Sequence, residues 1–496
     1  FRSHLRTRQH ETKMATLQTL NFDNSYAQLS NKIFSKLAPQ PLYAPYVVHF
    51  NPQVAKLLDL DTPSDHDLST YFSGALLLPN SEPLAMSYSG HQFGQYNPQL
   101  GDGRGLLLGE VLNQQGERWD LHLKGAGKTP YSRFGDGRAV LRSSIREYLC
   151  SEAIHALGIP STRALCIIGS KHSVQRETIE TAATLLRVAD SHIRFGHFEW
   201  IFYNQPQLLQ SFANYVINRH YPECKTNQQP YAALLNAIVK RTATLMAQWQ
   251  LVGFAHGVMN TDNFSITGCT FDYGPFGFLD SYTPSFICNH SDKTGRYAWN
   301  QQPSIGLWNL NALAYALSPL IDKEDIMAAL QTYEPILLET YYQGMKAKLG
   351  LMHDDAQDNA LAFDLLDILM KNKMDYTRSF RALSHVNKND SQCVLRDDCL
   401  GRERFDGWFK RYTQRLQQEP LSDNQRQQQM LTTNPKYILR NYLAQTAIEK
   451  AEADDFSEID TLLMLLQKPY DEHPHYEQYA NKPPDWGQHL EISCSS

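Results

Sequence analysis

Apolar residues return every four positions at Ile145, Leu149, Ala153 and Leu157, and Gly158 and Pro160 close the run. That spacing lays one apolar stripe along a helix and predicts one over about residues 144–157. A second helix is predicted over about 237–256, where Leu245, Met246, Trp249 and Val252 share a face, running straight into the segment that follows. Elsewhere the apolar positions come in short runs. LLLGEV (106–111) and WDLHLK (119–124) flank NQQGE and predict a β-hairpin, and STRALCIIGS predicts a further strand. Residues 14–85 hold short apolar runs broken by proline, as in APQPLYAPYVVHFNP, and read as a loop-rich leading segment. Beyond Pro303, LWNLNALAYALSPL and EDIMAALQTYEPILLETYYQGM are helical in pattern. Residues 388–430 are polar and Gln-rich with no strong periodicity; NPKYILRNYLAQTAIEKAEADDFSEIDTLLMLL is helical again before an irregular tail.

Composition narrows the function. Hydrophobic residues make up 42% of the 496 and charged residues 20%, enough for a packed core. A net charge of −6 leaves no basic field, so nucleic acid is not expected as a partner. No run of about 18 apolar residues occurs, so no membrane span is expected. The eight cysteines (Cys150, Cys166, Cys224, Cys269, Cys288, Cys393, Cys399, Cys494) fit neither zinc-site spacing nor a small disulfide framework. Mostly free thiols in a reducing, cytoplasmic compartment are expected. Residues 1–13, FRSHLRTRQHETK, are Arg-bearing with a single acid ahead of Met14. They read as upstream or tag-like sequence, with a mitochondrial location the alternative if they are a targeting remnant.

Five candidate elements stand in the order a protein-kinase-like fold requires. GDGRG, Gly101 to Gly105, is a glycine turn between strands whose backbone N–H groups suit phosphate oxygens. Gly103 and Arg104 lie within it, and Asp102 is unwelcome beside phosphate unless Arg104 offsets it. Lys124 ends the WDLHLK strand, and Glu147, 23 positions on, is placed to hold it. Ser144-Ile-Arg-Glu147 also fits a helix capping box, so Glu147 has two readings. HGVMNTDN, 256–263, has the frame H-x-D-x-x-x-x-N, but Val258 stands where a kinase has its catalytic Asp; Asp262 comes four residues later, and Asn263 is a candidate metal ligand. Asp272-Tyr-Gly274 takes the place of DFG, its carboxylate suited to Mg²⁺. Arg187 and Arg194, seven apart, would share a helix face and clamp an anion; KGAGKTPYSRFGDGR offers Asp136-Gly137 as a second loop near the phosphates. GAGKT does not satisfy G-x-x-x-x-G-K-[ST], so no Walker A loop is present there.

GHQFGQYNPQLGDGRG, LKGAGKTPYSRFGDGRAVLRSSIREYL, HGVMNTDN, FDYGPFGFLD and the C-terminal CSS closely resemble the selenoprotein O (SelO/YdiU) family, over essentially all of residues 14–496. The resemblance implies an α+β, kinase-like bilobal fold that transfers AMP from ATP to Ser, Thr or Tyr hydroxyls of proteins, with the nucleotide flipped relative to kinases. It implies Mg²⁺ (or Mn²⁺) on Asn263 and Asp272, and Asp262 as catalytic base. Gly101, Gly103, Arg104, Lys124, Asp136, Gly137, Arg187, Arg194 and Asp272 become nucleotide-binding positions, and Glu147 supports Lys124. It further implies that Cys494, where the family carries selenocysteine or cysteine, pairs with Cys288; Cys269 is the competing partner, and a free tail thiol the other reading. The expected division is an N-terminal extension (14–85), a β-rich lobe (86–200), an α-rich lobe with catalytic loop and activation segment (201–387), and a helical extension with a redox-active tail (388–496). A kinase using Asp262 to transfer the γ-phosphate, and an inactive nucleotide-binding scaffold, are the alternatives; retention of Lys124, Glu147, Asn263 and Asp272 together argues against the scaffold.

Overall fold

The two runs around NQQGE do pair as a hairpin, in antiparallel register from Gly105 opposite Lys124 to Leu112 opposite Arg118. In the computed structural model, which describes residues 13–494, this hairpin is the centre of a larger sheet. The expected upstream segment, up to residue 12, lies outside the described residues.

The strands of the first half are β1 (Phe34–Lys36), β2 (Tyr46–Phe50), β3 (Leu84–Met86), β4 (Gly90–Gln92), β5 (Gln95–Asn97), β6 (Gly105–Leu112), β7 (Arg118–Lys124), β8 (Ala139–Val140), β9 (Arg163–Gln175) and β10 (Ile179–Ala189). Eight of them form one sheet in the order β1-β3-β6-β7-β10-β9-β2, with β8 on β10; β4 and β5 make a separate hairpin. The first helices are α1 (Pro52–Leu57), α2 (Asp65–Phe72) and α3 (Leu141–Ala156). Side chains alternate across the sheet. Leu107 therefore packs with Ile145 and Leu149 of α3, while Leu106, Leu108, Leu121 and Leu123 pack with Val54, Leu68 and Phe72.

That second face adds to the loop-rich reading of residues 14–85. The segment contributes three strands to the sheet and covers it with α1 and α2. Its prolines punctuate elements rather than prevent them: Pro52 is the first residue of α1, where a missing N–H costs nothing, and Asn51 caps that helix by accepting from the Gln53 N–H.

Next come α4 (Phe195–Asn204), α5 (Leu209–His220) and α6 (Pro230–Val252). The last does not run into the HGVMNTDN segment as expected. It stops at Gly253, in left-handed conformation with φ 75°, and the chain enters the two-residue strand β11 (Phe254–Ala255), which pairs with β12 (Gly277–Phe278). The ladder closes the base of the 256–276 segment, so its carboxylates sit on a loop tied at both ends.

Helices fill the remainder: α7 (Gln302–Leu317), α8 (Lys323–Gln331), α9 (Tyr333–Lys348), α10 (Asp358–Lys371), α11 (Tyr376–Leu383), α12 (Arg402–Leu416), α13 (Asp423–Leu431), α14 (Asn441–Glu452) and α15 (Ser457–Gln467). The polar stretch 388–430 is thus partly helical. In α12, Phe405, Trp408, Phe409, Tyr412 and Leu416 are buried on one face, an i, i+3, i+4, i+7 stripe carried by few residues among many charges. No described helix is long and apolar enough to cross a membrane.

Candidate active site

A cleft of about 650 Å³ opens where the β6–β7 end of the sheet faces the 256–276 loop. Lys124, the last residue of β7, points its ammonium at Glu147 of α3, Nζ to Oε1 3.1 Å. Glu147 also accepts two hydrogen bonds from the Arg187 guanidinium, at 2.7 and 2.8 Å, so one buried carboxylate holds two cations. Burial alone would raise the Glu147 carboxyl; Arg187 and Lys124 outweigh it and hold it well below the usual range. Burial lowers the Lys124 ammonium to about 7, with Glu147 opposing and Arg104 and Arg187 adding to the drop. The capping-box alternative does not describe this glutamate: α3 begins at Leu141, and Ser144, inside its first turn, donates to the Val140 carbonyl.

Arg187 and Arg194 do not share a helix, as the seven-residue spacing suggested. Arg187 lies on β10, and Arg194 stands just before α4, where its backbone pairs with Ser265 of the loop. Both still converge on one carboxylate. Arg187 Nη1 lies 3.0 Å from Asp272 Oδ1, and Arg194 Nη1 bonds Asp272 Oδ2 and, at 2.8 Å, the Asp262 carbonyl. Asp272 takes a left-handed φ of 56°, uncommon for a residue with a side chain and usual only where surroundings enforce it.

Asp262 occupies a short turn, Thr261–Asn263. Gln92 of β4 donates to its Oδ2 at 3.4 Å, while Oδ1 is buried with no hydrogen-bond partner among the described residues. Burial raises its carboxyl to about 6, with Arg194 opposing. Asn263 donates its amide nitrogen to the Val258 carbonyl at 2.9 Å, so its acceptor end is the oxygen. His256 ties the loop together: its Nε2 meets the Phe271 carbonyl at 2.8 Å and its ring stacks on Trp249.

A family profile described as Protein adenylyltransferase SelO matches residues 16–467. The chain belongs to the SelO family. The protein nucleotidyltransferase YdiU of Yersinia pseudotuberculosis serotype O:1b (strain IP 31758) is 54% identical to it over 477 residues, covering 96% of this chain and 99% of the relative. The YdiU proteins of Aliivibrio salmonicida (strain LFI1238) and Pseudomonas aeruginosa PAO1 are 53% and 50% identical, each covering 97% of this chain and 100% of the relative.

The remaining positions singled out from sequence in this SelO chain are mostly brought to the same cleft. Gly101, Gly103, Arg104, Asp136 and Gly137 line it, from two loops knitted together by Thr129 Oγ1, which donates to the Asp102 carbonyl at 2.6 Å. Gly137, at φ 72°, brings its Cα so close to Gly127 that a Cβ would lie 2.1 Å from that residue's carbonyl carbon. Asp102 is buried. Its carboxylate turns inward, accepting from the Met86 N–H at 3.0 Å and the Tyr88 hydroxyl at 3.3 Å, with His122 Nε2 at 3.4 Å. Asp136 is occupied by Arg176, bidentate at 2.8 and 3.0 Å. Arg176 and Gln92, both on the cleft wall, were not singled out from sequence. Arg176 sits at the β9–β10 turn, where an arginine is ordinarily solvated, and nothing local distinguishes it.

Cys494 also lines the cleft, held by Asn289 Nδ2 at 3.3 Å from its sulfur, while His290 N–H donates to the Ile492 carbonyl at 2.7 Å. Cys288 is buried beneath, its sulfur 3.5 Å from the Ala255 carbonyl. Both thiols are free in this structure, as is Cys269.

Proposed function

We propose that this chain transfers AMP from ATP to Ser, Thr or Tyr hydroxyls of other proteins, on a kinase-like bilobal fold that holds the nucleotide flipped. Residues 86–200 and 201–387 make the two lobes, with 14–85 and 388–496 as extensions. The observation that carries the reading lies on the 256–263 loop: Val258 lines the cleft where a kinase base would stand, and buried Asp262 has a carboxylate oxygen unpartnered among the described residues. An ionised Asp262 would take the proton of the acceptor hydroxyl as its oxygen bonds the α-phosphorus and the bond to pyrophosphate breaks. Lys124, Arg104, Arg176, Arg187 and Arg194 would bind and orient the triphosphate, and the glycine loops would let it approach the backbone.

Asn263 and Asp272 fit a hard divalent cation, Mg²⁺ or Mn²⁺, because both line the cleft and both carry side-chain oxygen donors. Among the described residues no three His, Cys, Asp or Glu side chains form a metal cluster, which suits a cation completing its shell with phosphate and water. Bound there, it would supply neutralisation of phosphate charge. The tail adds redox control: Cys494 and Cys288 would form a disulfide on oxidation, holding the tail across the cleft, and stay apart as thiols in a reducing cytoplasm.

ATP labelled at either the α- or the γ-phosphate, given with divalent metal and a protein acceptor to reduced enzyme, tests the proposal. Protein label from the α position alone is expected. Label from the γ position alone would make it a kinase, and binding without label from either would make it a scaffold.

A further inference from the structure

Across the β4–β5 hairpin from the cleft lies a second cavity, of about 450 Å³. Its walls are Tyr203 of α4 and Trp308 and Tyr315 of α7, and Ala312 and Ala316 leave the space between them. Tyr203 is 50% exposed and Tyr315 61%, unusual for large aromatic side chains facing one another across an opening. Glu199, one turn before Tyr203, is 1% exposed and lines the same cavity. Both of its carboxylate oxygens are buried. His91 Nδ1 lies 2.5 Å from Oε2, so an imidazole stands beside that oxygen, while Oε1 has no partner among the described residues.

A carboxylate buried in an aromatic recess with an imidazole at one oxygen and no donor at the other is costly unless a further cation completes it. A lysine or arginine side chain does so on every count. Its charged head brings several donors to the carboxylate, its aliphatic stem lies along apolar walls, and aromatic faces attract it. Trp308 already has the Arg296 guanidinium 4.8 Å from its ring centroid.

The recess is tied to the catalytic loop. His91 and Gln92 are consecutive on β4, so their side chains fall on opposite sides of the strand. His91 meets Glu199, Gln92 meets Asp262, and the His91 N–H donates to Thr261 Oγ1 at 2.6 Å. A chain anchored by a basic side chain in the recess would lie one hairpin away from Asp262.

We propose that this recess binds a lysine or arginine side chain of the polypeptide being modified, so that acceptor hydroxyls with a basic residue nearby are selected. The meaning of the site rests on the AMP-transfer reading; its test reads binding. A short fluorescein-labelled peptide with one serine and one lysine is compared, by anisotropy, with its twin carrying glutamine for lysine. The lysine peptide is expected to bind about tenfold more tightly, one buried charge-assisted contact's worth, and Glu199→Gln to erase the difference. Tyr203→Ala, at an exposed rim position without a fold to lose, should weaken the lysine peptide alone. Equal binding of the twins, or a lysine preference that survives both substitutions, would overturn the proposal. Lysine-dependent binding without AMP incorporation would leave the recess standing and remove the proposed function.

Discussion

Asp262 and Asp272 are two carboxylates ten residues apart with opposite environments. Two guanidiniums hold Asp272, whereas Asp262 is buried with one oxygen unpartnered among the described residues and its carboxyl raised to about 6. Environments that differ this way separate a charge-binding group from a proton-accepting one. A base must be ionised, so the protonated fraction of Asp262 grows as pH falls below about 6. Transfer should therefore rise with pH through that value and level off above it; a flat profile across it would remove Asp262 as base. Asp262→Asn should cost about 10²–10⁴ in turnover with ATP affinity kept, checked by single-turnover labelling and nucleotide binding. Asp272→Ala should abolish transfer in a folded protein, and full activity there would sink the metal assignment. Lys124, Glu147 and Asp272 were singled out in sequence because the weak signals they carry stand together in a fixed order, though none is distinctive alone. Arg176 was not, since its partner Asp136 lies 40 positions away.

At the scale of elements, periodicity located what packs on one face and missed what packs by other means. The α3 stripe and the β6–β7 alternation were readable because each element buries a regular set of side chains against the other. The end of α6 was not, because its apolar face continues into Phe254 and Ala255, and only Gly253 marks the break. The α12 stripe is hidden among charged neighbours, yet Trp408 is 1% exposed at its centre. Trp408→Ala should cost about 3–5 kcal/mol of stability through the cavity it leaves. A lowered urea midpoint with nucleotide affinity preserved would separate that loss from the cleft. Gly137→Ala should do the reverse, straining the loop by about 1–3 kcal/mol and raising the KM for ATP. A variant with unchanged KM would mean that the Gly127–Gly137 approach does not shape the cleft.

Across the whole molecule, the C-terminal helices α14 and α15 are tied to the chain beyond the 256–276 loop by Arg440, which immediately precedes α14. Its guanidinium, 1% exposed, bonds Asp280, eight residues after Asp272, and Asp375 at the start of α11, both at 2.7 Å. Removing it would leave two carboxylates facing each other in a poorly solvated site, so Arg440→Met should destabilise by about 3–5 kcal/mol. Calorimetry checks this, and an unchanged midpoint would mean these helices are held by apolar packing alone. The chain after α15 brings Cys494 to the cleft wall. If the tail is a redox lock, Cys494→Ser should keep its activity after oxidant treatment while the parent protein loses it reversibly; equal loss in both would point to another cysteine.

Local chemistry is written in local order, so the sequence by itself determined the strands and helices with strong periodicity, the glycine loops, the displaced aspartate at 262 and the family. The tertiary structure decided the partnerships. It set Arg187 and Arg194 on a strand and a helix start instead of one helix, turned Asp102 inward, delivered Arg176 to the cleft and left Glu199 at the foot of an aromatic recess. Each of these depends on side chains far apart along the chain. Periodicity reports which face of an element is buried, whereas a buried charge is satisfied by whichever residue the fold carries to it.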